Sequence, residues 1–468
     1  MISDILSNSL DARPVHFVGI AGAGMSGLAE LLARRGMKVT GCDASPAAVA
    51  KDLEALGIEV FQGHSEAHVF GARAVIFTSA MPREHPELLA AKAAGLPVIR
   101  RAEALGAAVS CGDVVGISGT HGKTTTTVMT TLALRAAGLE PTGIAGGRLG
   151  AWGGNMTFGS DRLFVVEADE YDRSFLALNP GVAVVTNVEA DHLDIYADLA
   201  DIRATFSQYV AGARAIVLCA DDAGANSLSL PPTAELIRYG VDSPDARLVA
   251  RAVVATREGS DFTVWYDGIE DTRVRLNVPG AHNVKNALAA IGVGLALGVR
   301  TEAVTPGLEA FSGVERRFER IAEVGGIAIV DDYSHHPTEI NAMIEAARAS
   351  YPGRRLLVAF QPHLYTRTRD FATEFGQALS QADAVFLTEL YPAREKPIEG
   401  VSATLIERAI SDASGGMIWR GPRSDLAAAL SERARAGDVV VTVGAGDITL
   451  AARELRDILR AREAAGAA

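Results

Sequence analysis

The sequence predicts an α/β protein of three domains, each built on a mainly parallel sheet. Short apolar runs alternate with amphipathic helical stretches along the whole chain, which is the pattern of parallel strands joined by crossover helices. Two glycine clusters each follow an apolar run and open a helix, as phosphate-binding turns do in α/β proteins. A chain of 468 residues is also longer than one hydrophobic core usually serves.

We expect the domains to span residues 1–108, 109–313 and 314–468. The first and the last are predicted to be Rossmann-like, and the central one is a larger α/β unit. The tail after Asp457 is rich in Ala, Arg and Glu and is expected to fray. The strands are expected at 15–20, 37–42, 74–79 and 97–99 in the first domain, at 114–118, 163–167, 182–187, 214–219 and within 247–278 in the second, and at 326–331, 355–360, 384–389 and 438–443 in the third.

Composition and charge exclude several classes of function. The formal net charge of −13 repels polyanions, and no block of Lys and Arg offsets it, so nucleic acid is not an expected partner. Cys42, Cys111 and Cys219 are far apart and indicate neither a disulfide framework nor a zinc knuckle. The first residues lack a signal-peptide pattern, and the longest apolar run, 287–299, is interrupted by glycine and too short to cross a bilayer. We therefore expect a cytoplasmic protein without membrane insertion, with monomer and homodimer both open.

The first glycine cluster, at 22–27, follows the first predicted strand and has the G-x-G-x-x-G spacing of a diphosphate-binding turn. Glycine lets the backbone approach a diphosphate, and the helix that follows offers free N–H groups. Close packing of helix on strand is the alternative explanation of the glycines. The candidate diphosphate-binding residues are Gly22, Ala23, Gly24, Met25 and Ser26, with Asp43, at the end of the next strand, as an acceptor for a ribose or base donor.

The second glycine cluster lies between the strand at 114–118 and a helix rich in Thr, and it predicts a P-loop-type domain. Its backbone N–H groups can hold a triphosphate while Lys123 reaches the outer phosphates and Thr124 holds magnesium. Ile117 stands where the strict Walker A pattern has glycine, so the loop is a shorter variant. The residues expected to bind ATP here are Gly119, Thr120, His121, Gly122, Lys123, Thr124 and Thr125.

Acidic residues follow two later strands of the same domain. Glu167 ends the run at 163–167, and His192 lies in the acidic stretch 186–194. Magnesium prefers oxygen ligands, and ligands of α/β sheets bind at the carboxyl ends of the strands. For any single acid a solvated loop is the simpler explanation, but a phosphate loop needs metal partners near it.

Nine stretches of the chain match one set of motifs. They are 16–30, 116–127, 166–175, 186–196, 279–290, 313–319, 331–340, 360–370 and 391–400. Together they resemble the Mur ligase family, and within it the enzymes that add L-alanine to UDP-N-acetylmuramate. The resemblance covers nearly the whole chain and implies that the first domain binds the UDP-sugar, the central domain ATP and the last domain the amino acid.

The resemblance also implies roles for single residues, with ATP and Mg2+ as cofactors. Magnesium would be held by Thr124, Glu167 and His192. Further ATP contacts would come from His282, Asn283, Asn286, Arg317 and Asp332. The amino acid and the reacting carboxylate would lie near Tyr333, His335, His336 and Arg367, and the catalytic residues would be Lys123, His335, His336 and Arg367.

Some features separate this chain from parts of the family. Several later Mur ligases use a carbamylated lysine in the central domain, whereas this chain has no lysine between Lys123 and Lys285, which favours the alanine-adding branch. Ala21 stands where glycine is common, Tyr171 where serine is common, and Leu364 where an arginine is expected.

The implied reaction activates a carboxylate with the γ-phosphate of ATP, and an amine then displaces phosphate from the acyl phosphate. Magnesium, Lys123, Arg317 and Arg367 would offset the repulsion between the anions, which is about 4 kcal/mol for two unit charges 4 Å apart at an effective dielectric near 20. The alternatives are a ligase for a recycled murein peptide, a folylpolyglutamate-type ligase, a dehydrogenase, and an ATP-binding switch or scaffold without ligase activity. His335 and His336 precede a proline and could be loop or cap residues instead of catalytic ones.

Overall fold

The computed structural model describes residues 2–46, 49–78, 81–82, 84–393, 395–414 and 418–466. Three separate sheets confirm the predicted α/β class, with mostly parallel strands in each. Among the described residues, none of the helices is both long enough and apolar enough to span a bilayer.

The first sheet has five parallel strands in the order β3-β2-β1-β4-β5, with β1 at its centre. Apolar side chains alternate between the two faces of β1, so that both faces are covered by helices. The strands are Val15–Val18 (β1), Val39–Asp43 (β2), Glu59–Gln62 (β3), Ala74–Phe77 (β4) and Val98–Arg100 (β5), and the helices are Ile2–Ser7 (α1), Ala23–Arg34 (α2), Ala50–Glu54 (α3), Pro86–Ala93 (α4) and Arg101–Val109 (α5).

The second sheet has ten strands, and the strand that precedes the second glycine cluster lies inside it. Its strands are Asp113–Ser118 (β6), Thr142–Leu149 (β7), Gly154–Thr157 (β8), Leu163–Glu167 (β9), Val182–Val185 (β10), Ala215–Cys219 (β11), Glu235–Gly240 (β12), Leu248–Ala255 (β13), Ser260–Tyr266 (β14) and Ile269–Leu276 (β15). The order is β15-β14-β13-β12-β11-β10-β6-β9-β7-β8. Since β6 pairs in parallel with β9 and β10, the chain after all three strands emerges at one edge of the sheet.

The helices of this region cover both faces of the second sheet. They are Lys123–Ala136 (α6), Leu199–Val210 (α7), Ala223–Asn226 (α8), Ala281–Ala296 (α9) and Thr301–Glu309 (α10). Helices α6 and α9 pack on each other and are buried along much of their length, which fixes the position of the loop before α6. The strands predicted within 247–278 are β13–β15, which form an antiparallel extension of the sheet.

The third sheet has six strands in the order β16-β17-β21-β18-β19-β20, antiparallel only between β16 and β17. Its strands are Glu319–Val324 (β16), Ile327–Asp332 (β17), Leu356–Phe360 (β18), Ala384–Leu387 (β19), Ile418–Arg420 (β20) and Val439–Val443 (β21). Its helices are Pro337–Ser350 (α11), Tyr365–Asp370 (α12), Ala372–Leu379 (α13), Ala403–Ser414 (α14), Arg423–Arg433 (α15) and Thr449–Gly466 (α16).

The C-terminal tail differs from the sequence prediction. The expectation that it frays after Asp457 is wrong, because α16 continues to Gly466. Ala, Arg and Glu are strong helix formers, and Leu455 and Leu459 are buried against the third sheet, so the helix has an apolar face to hold it down.

Candidate active site

The loop between β6 and α6 has the shape of a phosphate cradle. Gly119 and Gly122 have positive φ angles of 135° and 82°, which favour glycine at both positions. The side chain of Asn187, just after β10, accepts a hydrogen bond from the His121 amide at 2.8 Å and donates to the His121 carbonyl at 3.1 Å. Thr186 donates to the same carbonyl at 2.6 Å. The neighbouring strand end therefore fixes the loop from outside.

The ammonium group of Lys123 is buried and paired with an acid. Its Nζ lies 2.9 Å from Oε1 of Glu170 and donates to the carbonyl oxygens of Gly119 at 2.7 Å and Thr120 at 3.0 Å. Burial would lower the pKa of Lys123, but the Glu170 carboxylate beside it raises the pKa above its ordinary value. Burial raises the pKa of Glu170 to about 7, against the opposing effect of Lys123.

Two of the three predicted magnesium ligands are in direct contact. Thr124 Oγ1 donates to Glu167 Oε1 at 3.0 Å, and the Gly146 amide donates to the other carboxylate oxygen at 2.7 Å. Burial raises the pKa of Glu167. His192 lies near the neighbouring Lys123–Glu170 pair, with its Nε2 3.8 Å from Glu170 Oε1. A hydroxyl and a carboxylate are oxygen donors of the kind that magnesium prefers, so the residues present suit the ion.

A network of charged groups connects the phosphate loop to the third domain. Nδ1 of His121 lies 3.3 Å from Glu339 Oε1, and its Nε2 lies 3.5 Å from Glu189 Oε2. Thr338 donates to Glu189 at 2.6 Å. Burial would lower the pKa of His121, but the carboxylates of Glu339 and Glu189 raise it to about 9. His121 is therefore a cation at neutral pH that joins two domains.

The two predicted catalytic histidines differ in their hydrogen bonds. His335 Nδ1 lies 2.9 Å from the Tyr333 carbonyl oxygen and 3.3 Å from Glu339 Oε2, and since both are acceptors the nitrogen carries the proton. His336 Nδ1 instead accepts from the Thr338 amide at 3.4 Å and caps α11. Burial lowers the pKa of both rings, that of His335 to about 3. Nε2 of His335 therefore keeps its lone pair and can accept a proton, whereas the acceptor nitrogen of His336, Nδ1, is already bonded to the Thr338 amide.

Arg367 forms a buried ion pair across the same interface. Its Nη2 lies 2.7 and 3.0 Å from the two carboxylate oxygens of Asp191, next to His192 in the central domain. Burial would raise the pKa of Asp191, but the guanidinium holds it well below its ordinary range. Leu364, at the position where an arginine was expected, has a φ of 70° and stands at the N-terminus of α12. A residue with a positive φ thus directly precedes the helix that carries Arg367.

A cavity of about 320 Å3 adjoins the phosphate loop and is lined by both domains. Of the further ATP-binding candidates, it brings together His282, Asn283, Asn286, Arg317 and Asp332. Burial lowers the pKa of the His282 ring to about 4, so it is neutral. The N-terminus of α9 thus faces the third domain across this cavity, which is large enough for a nucleoside.

Several polar groups of the cavity are already bonded to protein. Asn283 donates to the Pro279 carbonyl at 2.7 Å, and Asn286 accepts from Thr126 at 3.1 Å. Asp332 accepts from the Phe318 amide at 2.7 Å and from the Ser334 amide at 2.8 Å. Arg317 lies 3.5 Å from Glu339, and its guanidinium covers the ring of Tyr333. These residues hold the shape of the cavity as well as lining it.

The first glycine cluster allows two close approaches. Gly24 lies against the guanidinium of Arg101 and Gly27 against the side chain of Asn155, so a Cβ at either position would meet those side chains at 2.8 Å. Gly22 is the residue before α2, Ala23 begins the helix, and Met25 is buried under it. Asp43 accepts from the Ala21 amide at 3.1 Å and from the Ser45 amide at 3.0 Å. The Asp43 carboxylate therefore holds the backbone of the glycine loop. Ser26 lies in the first turn of α2.

Sequence reasoning missed several residues of these sites. Glu170, Glu189 and Glu339 had no assigned role, although each lies within a recognised motif. A buried lysine needs a counterion, and the strand ends beside the loop are where that acid could have been sought. Arg101 was missed as well. It directly follows β5, and since β5 is parallel to β1, it lies at the same edge of the sheet as the first glycine cluster, which was the available signal.

Known proteins similar to this chain were found by sequence and by structure. The Mur ligase family catalytic domain matches residues 14–110, the middle domain 117–294 and the glutamate ligase domain 316–446. The UDP-N-acetylmuramate--L-alanine ligase of Salinibacter ruber is 43% identical over 454 residues, 96% of this chain and 95% of that protein. The solved UDP-N-acetylmuramate-alanine ligase of Thermotoga maritima has a TM-score of 0.80 and 28% identity, and 96% of this chain and 99% of that chain are covered. The murein peptide ligase of Psychrobacter arcticus has a TM-score of 0.68 and 26% identity, with coverages of 96% and 98%.

Proposed function

The chain belongs to the Mur ligase family, and we propose that it joins L-alanine to the carboxylate of UDP-N-acetylmuramic acid in an ATP-dependent step of peptidoglycan precursor synthesis. Relatives named for this reaction match it over nearly their full length. The observation that carries the proposal is that contacts across one domain interface join His121 of the phosphate loop, through Glu339, to His335. At the same interface Arg367 pairs with Asp191 of the central domain. A ligase needs phosphate activation and amine attack at one place. Its soluble nucleotide substrates make the cytoplasm the proposed location.

The chemistry has two steps. A carboxylate oxygen attacks the γ-phosphorus of ATP, and ADP leaves with the electrons of the broken bond. The amine nitrogen then attacks the acyl carbon, and phosphate leaves from the tetrahedral intermediate. Lys123 stabilises charge on the transferred phosphoryl group once ATP draws it from Glu170. Thr124, Glu167 and His192 are the residues proposed to hold Mg2+, which would supply charge neutralisation to the phosphates when bound.

We propose His335 as the group that takes a proton from the attacking ammonium. Its Nδ1 is held by the Tyr333 carbonyl, which leaves Nε2 as an acceptor. The pKa of His335 is low in the free protein, and anionic substrates beside it raise it. His336, as the cap of α11, is proposed to position this segment. The first domain, with its glycine loop and Arg101, is proposed to bind the diphosphate of the UDP-sugar.

Magnesium-dependent phosphate release from ATP tests the proposal. With UDP-N-acetylmuramate present, release should require L-alanine, and Gly, L-Ser and a short murein peptide serve as competitors. Peptide preference would instead support the recycling reaction, which the likeness to a murein peptide ligase keeps as second candidate. Phosphate release that needs neither an amino acid nor a peptide, or no phosphate release at all, would contradict a ligase.

The two histidines provide a sharper test of the proposed roles. Replacing His335 by Gln should lower kcat by about 100-fold or more, since a positioned base contributes about 10²–10⁴-fold. The matched variant His336→Gln should lose less in kcat and more in thermal stability, because its ring caps a helix. Equal losses of kcat in both would contradict the assignment.

A further inference from the structure

A cluster of metal-binding side-chain types lies in the core of the first domain. His16 comes from β1, Cys42 from β2, His68 from a 3-10 turn at 66–69 and Glu87 from α4. One donor atom of each residue lies within 4.8 Å of the others. Four separate elements of the fold therefore bring two imidazoles, a thiol and a carboxylate to one point.

The carboxylate in this cluster is buried without an ordinary cationic partner. Glu87 is fully buried, and its ion pairs within the described part of the chain are with histidines only. Its oxygens lie 3.0 Å from Cys42 Sγ, 3.0 Å from His68 Nδ1 and 2.7 Å from the Ser65 amide. A buried carboxylate needs charge compensation as well as hydrogen bonds, and a cation would supply it.

The ring of His16 gives a second, independent observation. Its Nδ1 lies 2.9 Å from the Thr40 hydroxyl, which fixes the ring. Its Nε2 points into the cluster and faces Glu87 Oε2 at 3.9 Å, and among the described residues it has no hydrogen-bond partner within 3.5 Å although His16 is fully buried. Orphaned polar atoms are rare in a core. A histidine that is hydrogen-bonded at one nitrogen and directs the other at a carboxylate and a thiol has the arrangement of a metal ligand.

We propose that His16, Cys42, His68 and Glu87 bind a divalent transition metal, with zinc as the best fit. Sulfur, imidazole and carboxylate together suit tetrahedral zinc. Ligands about 2.0–2.3 Å from zinc lie roughly 3.3–3.8 Å apart in a tetrahedron, and the contacts to Glu87 bracket this spacing. Binding breaks the S–H bond of Cys42, forms a metal–sulfur bond and releases one proton to solvent. Four protein ligands make the site a structural one, which joins β1 and β2 to α4.

Cobalt substitution tests the proposal in the full-length chain without an affinity tag. The metal-free protein should bind one Co2+ with a thiolate-to-cobalt charge-transfer band, and one equivalent of Zn2+ should remove the band. None of the residues proposed to hold magnesium is a cysteine, so the band cannot come from cobalt at the magnesium site. Replacing Cys42 by Ser should abolish the band and weaken zinc binding at least about 10-fold.

The remaining two cysteines supply the matched control. Cys111→Ser/Cys219→Ser leaves Cys42 as the only thiol in the chain and should keep both the band and the zinc affinity. This variant also decides the matter if Cys42→Ser does not fold. Absence of the band from the wild-type chain or from the double variant, or its survival in Cys42→Ser, would overturn the proposal. Metal binding is measured without substrates, so the result is independent of the proposed ligase activity.

Discussion

Replacing Glu170 by Gln should tighten the binding of ATP in the absence of magnesium. In the free protein Lys123 donates to Glu170 and to two loop carbonyls. An incoming triphosphate must take the ammonium group from that carboxylate. Glutamine keeps the size of the side chain and removes its charge, so the lysine becomes easier to recruit.

The size of the effect follows from the geometry of the pair. Above pH 7, where Glu170 is ionised, two unit charges 2.9 Å apart attract by about 6 kcal/mol at an effective dielectric near 20, before the cost of burying them. The net value of a hydrogen bond to a charged group is smaller, about 1.5–3 kcal/mol. Since about 1.4 kcal/mol is a factor of ten, the affinity for metal-free ATP should rise by about 10- to 100-fold.

Calorimetric titration of ATP in the presence of a chelator measures this change. Omitting magnesium keeps any effect of Glu170 on a metal ion out of the comparison. Glu235→Gln is the control, because it removes an exposed carboxylate at the start of β12 in the same domain. Unchanged or weaker binding by Glu170→Gln, or equal tightening in the control, would refute the reasoning.

Three further predictions concern the loop and the domain interface. Gly119→Ala should lower the thermal midpoint and abolish ATP binding, because its φ is 135° and a Cβ would overlap the next strand end, whereas Gly212→Ala, in open space, should do neither. The folded protein raises the pKa of His121 from 6.5 to about 9, so the protonated ring stabilises the fold fully below pH 6.5, and up to about 3 kcal/mol of this stabilisation is lost as pH rises to 9. The difference in unfolding free energy between wild type and Glu339→Gln should therefore shrink over that range, and a constant difference would contradict the prediction. Asp191→Asn leaves a buried guanidinium uncompensated and should cost about 3–5 kcal/mol in urea unfolding, with a loss under 1 kcal/mol as the contrary result.

The strands that the sequence predicted are mostly those inside the sheets. Parallel strands covered on both faces are continuous apolar runs, so β1, β6 and β21 were visible directly. The edge strands β3, β8, β16 and β20 were missed, because an edge strand has fewer neighbours and no unbroken apolar run. Strands β7 and β12 lie inside the second sheet and were missed for other reasons. The sequence of β7 is rich in glycine, which predicts a loop, and β12 carries Glu235 and Arg238, which interrupt its apolar run.

The candidate site was predictable only where one stretch of chain carries it. The phosphate loop and Glu167 follow from local spacing and from the rule that strand ends of a parallel sheet meet. The pairs that join domains, such as Arg367 with Asp191, depend on how separate units pack, and no local pattern contains that information. The different roles proposed for His335 and His336 also rest on the structure, because the two neighbouring rings are distinguished by which nitrogen is already hydrogen-bonded.

The hydrogen bonds from Asn187 and Thr186 to the His121 backbone have a consequence for how the loop recognises phosphate. A loop whose backbone is already fixed by side chains has little conformational freedom left to lose when phosphate arrives. The entropy cost of ordering the loop falls on folding and not on binding, so the loop should bind any polyphosphate of the right length with little discrimination. Discrimination between adenine and other bases must therefore come from the cavity beside α9, where shape and hydrogen bonding can still differ from one nucleotide to the next.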